Sequence, residues 1–81
     1  MVRMDGAETR KARIAEVARI VMSELNRNKE AGFIGLKTTI AKIMVETGLT
    51  RPKVFEYLEL KRDEGVFEIN EVEDRINLAR V

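Results

Sequence analysis

The chain has no cysteine, no histidine and no tryptophan, and only one proline. Without cysteine there is no disulfide or thiolate zinc site to staple the fold, so a hydrophobic core must hold it alone. Without cysteine or histidine the usual nucleophile–base pairs are missing, and no glycine-rich loop ending in Lys-Ser/Thr is present, so the reading is that of a non-enzyme. Long apolar runs are missing too. The longest, residues 31–36, contains two glycines and falls far short of the roughly 20 residues that cross a bilayer. The early charges Arg3, Asp5, Glu8, Arg10 and Lys11 leave no apolar stretch for a signal peptide, which points to a cytoplasmic protein with no membrane partner. Nor is there an excess of one charge: 15 Lys and Arg face 14 Asp and Glu, a net charge of +1. That excludes a coating protein that holds nucleic acid by bulk positive charge, so any such affinity must come from local arrangement.

What is present is 81 residues of 44% hydrophobic content, enough for one small domain spanning 1–81. Ile14, Val17, Ala18, Val21 and Leu25 recur at three- and four-residue spacing and predict a helix over about 6–28. Asp5 with Glu8 offers a capping box at its start, with Thr9 as the competing start. Ile20 and Met22 widen its apolar face beyond one stripe, as a surface for a second chain would require. Phe33 and Ile34, between Gly32 and Gly35, read as a short strand or extended link. A second helix is predicted over about 39–47, capped by Thr38 or Thr39 and ended by Gly48. A third covers about 51–64, with Thr50 as N-cap, Pro52 in the first turn and Gly65 beyond the end. Phe67/Ile69 and Ile76/Leu78 then alternate as a hairpin over about 66–80, with turn residues from Asn70 to Asp74 and a register that Val72 leaves open.

The resulting class is α+β: a three-helix core with a short strand and a C-terminal β-hairpin. Within it the run Ile43-Met44-Val45-Glu46-Thr47-Gly48-Leu49-Thr50-Arg51-Pro52-Lys53-Val54-Phe55-Glu56-Tyr57-Leu58 resembles a winged helix-turn-helix module. Gly48 stands at the turn, Leu49 follows as the hydrophobic residue tucked under both helices, Thr50 caps, and Val54 and Leu58 anchor the next helix. Two positions depart from the family pattern: Lys61 stands where an apolar residue is usual, with Leu60 one step earlier, and Met44 replaces a small residue. The resemblance covers roughly residues 33–80. It implies that helix 51–64 enters the major groove, that its amino end lies near phosphates, and that the hairpin is the wing.

Charge by segment is uneven. Residues 1–29 carry a net +3, residues 30–49 and 50–65 balance, and residues 66–81 carry −2. The amino third is basic and the wing acidic. Should the module read DNA, Arg51 and Lys53 are the candidates for base-edge or phosphate contact, because a guanidinium can bridge guanine O6 and N7. Thr50 can bond a phosphate, Glu56 can accept from a cytosine amino group, and Phe55, expected on the outward face, can meet a thymine methyl. Lys37 and Lys42, at the start of the second helix, can hold the flanking backbone. Arg10, Lys11, Arg13 and Arg19 read instead as a solvated face paired with Glu16 and Glu24. Tyr57 reads as a core residue with its hydroxyl at the rim. Glu71, Glu73 and Asp74 read as a solvated acidic turn, and no metal, cofactor or small-molecule ligand is assigned.

Together these point to sequence-specific binding of double-stranded DNA, as in a small transcriptional regulator acting as a homodimer through the first helix. The competing expectation is a protein-interaction or assembly module without DNA binding. It is motivated by Glu56 and Glu59 on the exposed side of the third helix, beside Phe55 and an acidic wing.

Overall fold

The computed structural model describes residues 6–79, and the side chains of residues 9–79. In chain order the elements are α1 (Gly6–Arg27), β1 (Phe33–Gly35), α2 (Leu36–Thr47), α3 (Arg51–Asp63), β2 (Phe67–Asn70) and β3 (Arg75–Leu78). The strands form one antiparallel sheet in the order β1-β3-β2. The class is a small α+β fold with three helices and a three-stranded sheet. None of the described helices is long and apolar enough to cross a membrane. The proposed Asp5/Glu8 capping box lies outside the described residues.

One core joins all six elements. Val17, Val21 and Leu25 of α1, Ile43 of α2, Val54 and Leu58 of α3, Phe67 of β2 and Ile76 of β3 are fully buried. Three- and four-residue spacing on the helices and alternation on the strands bring these side chains to a single interior. Ile20 belongs to this interior as well, being 4% exposed. The outward edge of α1 is therefore narrower than the sequence implies: Met22, 36% exposed, with the exposed Ala12 and Ala15.

Glycine closes two helices where expected. Gly48 sits at φ 77°, and its N–H donates to the Met44 carbonyl at 2.9 Å. Gly65 sits at φ 83°. The Gly65 N–H reaches the Arg62 carbonyl at 2.9 Å and the Val66 N–H reaches the Lys61 carbonyl at 3.1 Å, the paired bonds of a Schellman end. Packing accounts for the residues at 44, 60 and 61. Leu60 and Met44 are half-buried against the core, while the Lys61 ammonium turns to Glu64 at 3.2 Å.

The start of the second helix is a correction. It begins at Leu36 rather than near Thr39, with Gly35 as an extended N-cap that contributes no side-chain bond. Thr39 is buried inside the helix instead of capping it. The missing cap is supplied from the hairpin: the Asp74 carbonyl accepts the Leu36 N–H at 2.9 Å, and Asp74 Oδ1 accepts the Lys37 N–H at 3.0 Å. Strand pairing makes this possible, since Gly35 lies opposite Arg75 in the β1–β3 register. Asp74 adopts φ 58°, a left-handed conformation that Asp tolerates better than most residues because its short carboxylate bonds locally.

The hairpin register is also settled. Phe67 pairs with Leu78 and Ile69 with Ile76, leaving residues 71–74 as the turn. Asn70 Oδ1 accepts the Glu73 N–H at 3.0 Å and stabilises that turn. Val72 projects at its tip, 97% exposed, between the exposed Glu71 and Glu73.

Candidate nucleic-acid interface

The candidate surface starts at the bend between α2 and α3. Thr47 holds it: its hydroxyl donates to the Ile43 carbonyl at 2.6 Å and accepts the Leu49 N–H at 3.2 Å. Leu49 is half-buried against the core, and Val54, Tyr57 and Leu58 seat the following helix. With that face buried, the opposite face of α3 points to solvent. Spacing of four, three and four residues puts Pro52, Glu56, Glu59 and Asp63 along its outermost line, and the first two are exposed.

At the start of α3, Thr50 occupies the N-cap position in an extended conformation (φ −77°, ψ 159°), yet its side chain makes no capping hydrogen bond. The residue is exposed. Arg51 is exposed and its side chain has no ion-pair partner among the described residues. Lys53 extends its ammonium to Glu56 Oε2 at 3.3 Å and lies 5.8 Å from the centroid of the Tyr57 ring, a cation–π distance.

Two cations of α1 converge on this place, which the sequence did not indicate. Arg10 Nη2 lies 3.8 Å from Glu56 Oε2, the same oxygen that Lys53 meets. Arg13 Nη1 donates to the Thr47 carbonyl at 3.3 Å, at the end of α2. Their i, i+3 spacing on a basic helix was the available signal, but only packing of α1 against α3 tells which side of the molecule they serve.

The other candidate residues are distributed differently. Phe55 is half-buried and packed against the core rather than fully outward. Its aromatic body seats α3. Lys37 is exposed in the first turn of α2, next to the hairpin turn through its amide bond to Asp74. Lys42 is not at the start of α2 but in its middle, and its ammonium donates to the carboxylate of Glu24 on α1. Glu24 also meets Arg27 at 3.4 Å. The hydrogen bond from Lys42 holds the Glu24 carboxyl below its ordinary value, opposed by partial burial and reinforced by the charges of Lys42 and Arg27. These groups line a polar crevice of about 140 Å³ between α1 and α2, with Arg19 and Glu46. Thus Thr50, Arg51 and Lys53 share the start of α3, Lys37 lies at the start of α2, and Lys42 serves a helix–helix contact.

On the sheet, the Arg75 guanidinium stacks 4.0 Å from the Phe33 ring centroid and pairs with Glu73 at 3.2 Å. The one described cation of the hairpin is therefore drawn back over β1, and the tip presents carboxylates. Among the described residues no group of three or more acidic side chains is arranged to hold a metal ion. Compared with family models, with curated proteins and with solved structures, the chain matches none.

Proposed function

We propose that the chain is a winged helix-turn-helix module that binds double-stranded DNA, presenting the amino end of α3 to the major groove. The observation that carries this is the meeting of Arg10 and Lys53 at Glu56 and of Arg13 with the Thr47 carbonyl at the α2–α3 bend, with the exposed Arg51 in the first turn of α3. Cations gathered locally supply the phosphate neutralisation that a net charge of +1 cannot. In this reading Arg51 and Lys53 touch base edges or phosphate, Thr50 bonds phosphate, and Lys37 follows the flanking backbone. The acidic tip stands off the duplex, so α1 takes over part of the backbone contact that a basic wing would make. Sequence-specific control of transcription is the role this fits, with two copies reading paired half-sites. Their contact through α1 rests on Met22, Ala12 and Ala15. Sedimentation tests it, and a monomeric mass at high concentration removes it.

The direct experiment is fluorescence anisotropy with mixed-sequence duplex across a salt series. Wild type should lose affinity steeply as salt rises. The double substitution Arg51→Ala, Lys53→Ala should weaken binding by about 100-fold and flatten the salt slope by about two. Absence of binding at low salt rejects the reading.

A specific observation favours a second reading. Pro52, Glu56, Glu59 and Asp63 form the outermost line of α3, and Glu71 and Glu73 are exposed at the hairpin tip. A basic protein surface complements these carboxylates better than phosphate does.

A further inference from the structure

We propose that Arg10 of α1 and Lys53 of α3 form a single site for a DNA phosphodiester, and that Glu56 occupies this site in the free protein. The inference rests on the DNA-binding reading and adds to it a site and its internal competitor. Its basis is one oxygen. Glu56 Oε2 receives the Lys53 ammonium at 3.3 Å and stands 3.8 Å from the Arg10 guanidinium. Two cations from different helices thus share one monoanionic oxygen acceptor. A phosphodiester offers the same charge and two non-bridging oxygens, so it can satisfy both donors at once.

The surroundings favour exchange. Both cations are exposed and so is Glu56, and ion pairs in such places are weak because water competes for each partner. Val54 and Tyr57 seat α3 beneath Lys53 and Glu56. Rotation of the exposed Glu56 side chain opens the site. An arriving phosphate is favoured by counterion release, which an internal carboxylate cannot provide. While Glu56 remains in place it lowers affinity for any duplex.

The test compares wild type, Glu56→Gln, Glu59→Gln, Arg10→Ala and the pair Arg10→Ala, Glu56→Gln, by anisotropy with a mixed-sequence duplex of about 20 base pairs in a salt series. Glu59 is the control: it lies on the same helix at similar exposure but pairs with Arg62 at 3.6 Å, away from Arg10. Thermal melting confirms that each variant folds. Glu56→Gln should bind about five- to tenfold more tightly at low salt with a slope steeper by about one, and Glu59→Gln should change affinity less than about twofold. The gain should shrink in the Arg10→Ala background. Equal gains from Glu56→Gln and Glu59→Gln, or a gain indifferent to Arg10, overturn the shared site while leaving DNA binding intact. No binding by any variant overturns the DNA reading itself.

Discussion

The amino ends of α2 and α3 begin within sixteen residues of each other and are treated in opposite ways. At α2 the orphan amides of Leu36 and Lys37 are both taken by Asp74. The positive end of that helix is spent inside the molecule. At α3 the Thr50 side chain makes no cap bond, Pro52 removes one donor, and Arg51 stands exposed without an ion-pair partner among the described residues. Two further cations approach from α1. A helix start closed by a carboxylate contributes to stability, whereas one left open beside cations is available to an external anion. The first ties the hairpin to the helices, and the second is where the proposed function lies.

The comparison breaks most completely if α3 loses its seat. Leu58 is fully buried, so Leu58→Ala should cost about 2–5 kcal/mol in urea unfolding and dissolve the distinction by releasing the helix. Asp74→Ala should cost about 1–2 kcal/mol, read as a fall in melting temperature. Asp74→Asn should cost less, because Asn also accepts an amide and tolerates positive φ. The contact between Lys42 and Glu24 gives a pH-dependent effect of similar or smaller size. The folded Glu24 pKa is lowered, so its contribution is present above the unfolded value of about 4.3. It is lost as pH falls through the lower folded value. Melting curves of wild type and Glu24→Gln should therefore diverge near neutrality and converge in acid. Smallest of all, Thr50→Ala should change stability by less than about 0.5 kcal/mol, since no cap bond is lost. A large effect there would erase the contrast with α2.

Features set by nearby residues were readable in advance. Gly48 and Gly65 end helices because a left-handed residue favours glycine whatever lies beyond it. The burial of Val54 and Leu58 follows from spacing alone. What could not be read was any contact between distant segments. The cap of α2 comes from Asp74, 37 positions beyond Lys37, whereas Thr38 and Thr39 are merely the nearest side-chain acceptors in the sequence. The short strand at Phe33–Gly35 was visible, but its pairing with β3 was not. Helix geometry puts Phe55 near the edge of the buried face, and the way neighbouring side chains cover such an edge is not encoded in its period. In the candidate site, Arg51 and Lys53 were legible from their place after a cap and turn. Arg10 and Arg13 were not, because a basic helix looks the same whichever surface it adjoins.

The sequence by itself determined the order of the elements, the glycine ends of α2 and α3, and the apolar set that forms the core. Each depends on periodicity or backbone preference within a few residues. Tertiary structure alone decided that Asp74 closes α2, that Lys42 is held by Glu24, and that Arg10 meets Lys53 at Glu56. Charged side chains choose partners by distance in space, and that distance exists only after the buried residues have brought the helices and strands together.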